Sequence, residues 1–344
     1  MRAGPVLSAA DMNLYRDYIN TMVYQSNPNQ NLNRTLPTTF GGGNPTAGRN
    51  AYVGTNYGSL GFIGLNCNTC HALPHGTDRG FTPAQALEEP QDFKVPQLRA
   101  TYQKMRFTNA PGAQSVLGFG LVHDGSDPSL FAFLSRPVFG TLAPDTVQKQ
   151  NISAFVQCLD TGTAPAVGLN YAARSNNVSA LSAGNWAFLE QEALKLTNIE
   201  LVVKAVIAGE QRGFLYRASS NNYRADSTNF IALTKAQLVS LVQTGGAVMV
   251  MGVPPGSGPR AGIDRNLNGI LDGDEPRPTL RLSRASNNLV IAWPTNTPFV
   301  LETVSALPSA IWNTETSLRA IVGSSLNVTN ATTNTAQFYR LKEL

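Results

Sequence analysis

The chain has 344 residues, of which 14% are charged, and a net charge of +4. That length exceeds what one hydrophobic core organises, so several domains are expected. Lys and Arg are spread rather than clustered, which argues against a nucleic-acid partner. No apolar run approaches the ~20 residues needed to span a bilayer. Polar residues lean to Asn, Thr and Ser, a composition suited to a secreted or cell-surface protein.

Residues 1–40 read as an N-terminal helix and a linker. Ser8 and Asp11 have capping-box spacing, which predicts a helix over 8–23. Leu14, Tyr15, Ile19 and Met22 fall on one stripe of it. Met1 to Pro5 lack the apolar core of a signal peptide, so the chain is expected to be a processed product or a piece of a longer precursor. Gln25 to Gly43, rich in Asn, Pro, Thr and Gly, reads as loop. Asn44-Pro45 predicts a second helix with Asn as its cap and Pro in its first turn. Gly48 and Tyr52 lie four apart on one face of that helix.

The strongest motif is Cys67-Asn68-Thr69-Cys70-His71, the C-x-x-C-H spacing of covalent haem attachment. Two thiols one helical turn apart can each add to a haem vinyl group, and His71 then offers an imidazole nitrogen to the iron. A zinc site would need about four ligands, and only Cys158 remains. A thioredoxin-like pair follows a buried strand, whereas residues 61–66 are short and Gly-broken. Cys158 sits in a helix-like run and reads as a small buried hydrophobe. Covalent haem attachment in bacteria takes place outside the cytoplasm, so an extracytoplasmic location is expected: periplasm, cell surface or secreted. The sixth iron position has two candidates, His123 and Met105, with an open or water-bound site as the third possibility. Arg99 and Lys94 are candidates to pair with haem propionates; as exposed solvated cations they would do nothing of the kind.

Residues 93–99, FKVPQLR, and 119–126, FGLVHDGS, resemble the segment that follows the haem motif in bacterial dihaem cytochrome c peroxidases. They resemble more closely the cytochrome c module found at the end of large secreted bacterial proteins, often behind a β-propeller. The resemblance covers about residues 8 to 275. It departs from the peroxidases in having one C-x-x-C-H, and in carrying Pro137 and Val138 where those enzymes supply a distal Met. It implies an all-α cytochrome c-like haem domain over 41–165. There the Gly48/Tyr52 face of the first helix crosses closely over a last helix in 146–159, with Phe155 as the matching aromatic.

Residues 166–262 read as a small α/β domain. A helix is expected over 179–197 and a β-branched strand over 201–207. Arg212 to Arg217 would be the hairpin partner across Gly209-Glu210, followed by a helix from Thr234 and a strand over 247–251. Residues 263–278 hold Asp264-Arg265-Asn266-Leu267-Asn268-Gly269-Ile270-Leu271-Asp272-Gly273-Asp274-Glu275. This fills every slot of the twelve-residue calcium-loop pattern. Asp264, Asn266, Asn268, the Ile270 carbonyl, Asp272 and Glu275 are the candidate ligands for Ca2+. Pro276 and Pro278 exclude an exiting helix, so a structural ion at a domain junction is expected rather than a sensor. Residues 279–344 alternate apolar and polar, with Asn287-Asn288 as a hairpin signal. They predict a β-sandwich similar to Ig- or fibronectin-like modules.

The sequence therefore predicts a multidomain protein: an all-α cytochrome c-like domain, a small α/β domain and a C-terminal β-sandwich. The expected function is an extracytoplasmic monohaem c-type cytochrome. It would relay single electrons between redox partner proteins, with both axial positions filled by protein. One alternative is a haem peroxidase or oxidase with an open distal site, so whether the protein is an enzyme stays open. The other is a structural cell-surface or filament subunit that self-assembles through its β-sandwich.

Overall fold

The structure, a computed structural model, describes the chain except residues 1–5, 58–63, 88, 106–111, 113–117, 276–277, 296–298, 309–310, 332–335 and 344. The chain divides into two compact units, Met1–Gly273 and Asp274–Leu344.

The first unit opens with α1, Ala9–Asn20, capped by the Ser8 side chain on the Asp11 N–H. Its apolar stripe is solvent-exposed, and no residue of the helix is buried. The loop that follows is tied down by side chains. Asn27 donates to the Gln157 and Leu159 carbonyls, and Arg34 pairs with Asp160. Helix α2, Pro45–Gly54, is capped by Asn44 and crosses α5, Thr146–Gln157. The crossing is close because Gly48 has no side chain: a Cβ there would stand 1.9 Å from the Asn151 carbonyl oxygen. One turn on, the Tyr52 and Phe155 rings meet edge to face at 5.1 Å.

Between α2 and α5 the all-α expectation fails. The chain as a whole is mixed α/β, with 28% helix and 25% strand, and strand occurs inside 41–165. Strand β1, Phe81–Thr82, pairs antiparallel with β2, Phe93–Lys94. The helices of this stretch, α3 at Cys67–Cys70 and α4 at Leu130–Phe133, are four residues each. The physical reason is punctuation. Pro83, Pro90 and Pro96 each remove a backbone donor, so the chain runs in turns and extended pieces.

From Asn170 the unit builds a five-stranded antiparallel sheet in the order β3-β7-β4-β5-β6. The strands are β3 Asn170–Arg174, β4 Glu200–Ile207, β5 Glu210–Arg217, β6 Asn222–Ala225 and β7 Ala247–Val253. The expected hairpin is present, with its turn at Ala208-Gly209 and Glu210 already paired to Ile207. The expected helix over 179–197 appears as α6, Val178–Leu181, a π-turn at Ser182–Trp186, and α7, Ala187–Leu194. Trp186 and Tyr223 are wholly buried at the centre of this core. The Trp186 indole donates to the Tyr223 hydroxyl at 2.6 Å, which donates to Glu190 at 2.6 Å. Helix α8, Lys235–Gln243, starts with a full capping box of Thr234 and Gln237. A short α9, Gly258–Gly262, precedes the expected calcium loop.

Residues 41–165 and 166–262 have separate apolar cores within one compact unit. Arg34 joins them, donating to Asp160 on one side and to the Thr197 carbonyl and Asn198 on the other.

The second unit is all β, as residues 279–344 predict. A four-stranded sheet holds β8 Arg281–Ala285, β9 Asn288–Pro294, β12 Arg319–Val322 and β13 Ser325–Ala331. A three-stranded sheet holds β10 Phe299–Val304, β11 Asn313–Thr314 and β14 Phe338–Glu343. Ile291, Trp293 and Val328 from the first and Leu301 from the second form one buried cluster.

Candidate functional site

A cavity of about 280 Å³ lies in the first unit, close to the lower end of ligand pockets, ~300 Å³. Cys67, Cys70 and His71 line it. Asn66 caps α3 by accepting from the Thr69 N–H, which sets the two thiols one turn apart. The His71 N–H closes the turn on the Cys67 carbonyl at 2.9 Å, and the Tyr52 hydroxyl donates to the His71 carbonyl. The helix crossing therefore reaches the motif directly, through a tyrosine on the same face as Gly48.

The His71 ring is fixed by its Nδ1, which lies 3.0 Å from the Gly76 carbonyl and 3.1 Å from the Pro96 carbonyl. Two acceptors require Nδ1 to carry the proton, which leaves the lone pair on Nε2. Burial lowers the His71 pKa, against smaller raising contributions from the two carbonyls and Asp78, and so favours the neutral ring that can bind a metal. Gly76 has φ +71°, and a Cβ there would press on Leu98 at 2.8 Å. Glycine is what lets this carbonyl reach the imidazole. Burial pushes the Cys67 thiol up to about 11, with Cys70 adding to it. Burial also raises Cys70, with Asp78 contributing. Both side chains are therefore held as thiols.

The remaining walls are mostly apolar. Tyr52 from α2, Val95 and Pro96 after β2, and Ile152 and Val156 from α5 line the cavity. Leu121, Val122, Leu130, Phe133, Val138 and Phe139 line it as well. Paired thiols, a neutral imidazole with one free nitrogen and apolar walls are a donor set that fits a c-type haem.

Of the other candidates, His123, Met105, Arg99 and Lys94, only Lys94 is on the lining. His123 is exposed and stacks on Phe93 at 3.8 Å; it is not among the cavity residues. Met105 is buried in the α2/α5 core, also outside the lining. The Arg99 guanidinium contacts the His75 Nδ1, and its Nε is buried without a hydrogen-bond partner. Lys94 lines the cavity, with its ammonium 5.6 Å from the Phe81 ring centre. Sequence reasoning passed over the Gly76 and Pro96 carbonyls, because a backbone acceptor has no residue signature. It named Tyr52 for packing and not for its hold on His71.

At residues 264–273 four side-chain acceptors hold the turn of the backbone. Asp264 Oδ2 accepts from Gly269 N–H at 3.1 Å, Asn266 from Asn268 N–H at 3.1 Å, and Asn268 from Ile270 N–H at 2.8 Å. Asp272 accepts from Arg265 N–H at 2.9 Å. Gly269 sits at φ +87°, the sharp turn that the pattern reserves for glycine. Asp264 Oδ1 is buried with no hydrogen-bond partner. Glu275, the last slot, belongs to the second unit. Among the described residues, no three His, Cys, Asp or Glu side chains gather as a metal site; the pattern's two Asn and one carbonyl stand outside that residue set. No described helix is long and apolar enough to cross a membrane.

Comparison with protein-family models, with curated proteins and with solved structures finds no match.

Proposed function

We propose that the first unit carries one covalent haem c on Cys67 and Cys70, with His71 as its proximal ligand, and exchanges single electrons with redox partner proteins outside the cytoplasm. The observation that carries this reading is the His71 ring: Nδ1 held by two carbonyls, beside two half-buried thiols, at the wall of an apolar cavity. When bound, a haem c supplies reversible one-electron chemistry at iron. The chain's residues do the rest. The Gly76 and Pro96 carbonyls hold the imidazole proton on Nδ1 and fix the ring plane, which makes Nε2 the better donor. Tyr52 locks the His71 backbone, and the apolar walls exclude water. Mass spectrometry of the matured, denatured polypeptide tests the proposal. One haem of added mass is expected, lost in Cys67→Ala/Cys70→Ala; an unmodified mass after expression with a haem-attachment system refutes it.

The loop at 264–273 supports a second proposal, a structural calcium ion held by Asp264, Asn266, Asn268, the Ile270 carbonyl and Asp272. The partnerless Asp264 Oδ1 favours it, because a buried carboxylate oxygen left unpaired costs ~1–3 kcal/mol or more. Calcium should raise the unfolding temperature of the wild type but not of Asp264→Ala. Equal curves with and without calcium refute it.

A further inference from the structure

We propose that the second unit pairs with a second copy of itself through strand β12, edge to edge and antiparallel about a two-fold axis, so that two four-stranded sheets become one. This contact is independent of the haem.

The edge of a sheet presents a row of unpaired backbone N–H and C=O groups, and proteins blunt such edges with very short strands or charged side chains. The two sheets of this unit end in four edge strands, β8 and β12 in one, β11 and β14 in the other. Three of them are blunted. β11 is two residues long, β8 carries Arg281 and Arg284, and β14 carries Arg340 and Lys342. β12 is not. It reads Arg319-Ala320-Ile321-Val322, with one charged residue, no proline and all four residues exposed. Leu318, just before it, is 93% exposed, Ile321 71% and Val322 60%. Among the described residues, β12 pairs with β13 alone. Ile321 stands opposite Leu326, and Arg319 opposite Val328. Residues directly opposite in a ladder share a face of the sheet, so Ile321 lies on the face that holds the core. Val328 on that face is wholly buried, so the cover of the core ends at β13 and leaves Ile321 outside it.

The side chains of this edge are complementary to themselves. In a two-fold pair centred on Ile321, that residue meets its counterpart in the second copy. Ala320 meets Val322, and Arg319 meets Gly323. A Cβ at Gly323 would have nothing within 4 Å, which leaves space opposite the arginine. Apolar side chains thus face apolar ones, and no two arginines stand opposite each other, where like charges are destabilising. Pairing β12 with β8 of another copy would instead bring Arg319 beside Arg281 and Arg284. The charges therefore favour a closed two-fold contact over an open head-to-tail chain. Four residues make a small contact, so the dimer is weak and depends on concentration.

Sedimentation velocity of the full chain over a concentration series tests the pairing, with amide hydrogen exchange at both ends of the series. The average mass should rise toward twice that of the chain, and the β12 amides should become better protected at high concentration. Ile321→Lys sets like charges opposite each other at the centre of the contact. It should stay monomeric with an unchanged melting temperature, while Leu282→Lys on the β8 edge, 60% exposed in the wild type, should dimerise as before. A wild type that remains monomeric throughout overturns the proposal, as does a dimer that survives Ile321→Lys or growth beyond the dimer. Should Ile321→Lys not fold, wild-type exchange decides alone: β12 protection that does not change with concentration overturns it.

Discussion

Replacing Gly48 by alanine probes the contact on which the site is braced. In an isolated helix the change is favourable by ~1 kcal/mol, the propensity difference between Gly and Ala. Here the new Cβ would stand 1.9 Å from the Asn151 oxygen and 2.4 Å from its carbonyl carbon. Those are backbone atoms of α5, so no rotamer change relieves them. A carbon–oxygen contact relaxes near ~3.3 Å, so α2 and α5 must part by more than an ångström. Overpacking of this kind costs ~1–3 kcal/mol, and the Tyr52–Phe155 edge contact contributes ~0.5–1.5 kcal/mol that is weakened as well. The net expectation is a loss of ~2 kcal/mol. In urea, with a slope of about 3 kcal/mol/M, the midpoint should fall by ~0.5–1 M. Gly54 ends the same helix with nothing within 4 Å of its would-be Cβ, so Gly54→Ala should leave the midpoint unchanged or raise it. Equal behaviour of the two variants in far-UV circular dichroism melts would refute the close crossing.

Other perturbations separate the remaining contacts. Tyr52→Phe keeps the ring packed and removes only the hydroxyl on the His71 carbonyl; a loss of ~1 kcal/mol is expected, and unchanged stability in denaturant would contradict the bond. Tyr223→Phe strands the buried Trp186 N–H and the Glu190 carboxylate, which is paired also to Lys235. It should cost ~1–3 kcal/mol, and a neutral melting curve would show that the network carries no stability. In the haem-free protein, burial raises the Cys67 pKa from 9.0 to about 11. The folded state then binds the proton more tightly than the unfolded one. Its contribution is fully present below about 9 and is lost as pH rises toward about 11. Stability of the haem-free chain should fall over that window, and Cys67→Ala should flatten the fall. An identical pH slope in wild type and variant would contradict it.

The elements with strong local signals were legible in the sequence. Ser8, Asn44 and Thr234 announce helix starts that the structure keeps, and the β-branched run at 201–207 is a strand. The crossing of the Gly48/Tyr52 face over the helix that carries Phe155, which the cytochrome c likeness implies, is present. The all-α character of 41–165 was wrong because the family likeness outweighed the local chemistry. Pro83, Pro90 and Pro96 were visible and forbid long helices there, and β1 and β2 are two residues each, too short for a periodic signal. The apolar stripe of α1 was read correctly, but a stripe says nothing of burial. The setting of the site escaped for another reason: the Gly76 and Pro96 carbonyls are backbone features, set by φ, ψ and tertiary contacts. His123 and Met105 are candidates by sequence position, and the structure puts neither on the cavity lining.

The decisive measurement is acid–acetone extraction of the matured, purified protein, followed by absorption spectra of the organic and polypeptide fractions. The thioether reading predicts that the porphyrin absorbance stays wholly with the polypeptide in the wild type, and passes to solvent or is absent in Cys67→Ala/Cys70→Ala. Porphyrin released from the wild type, or none bound with both thiols free to alkylate, would contradict it.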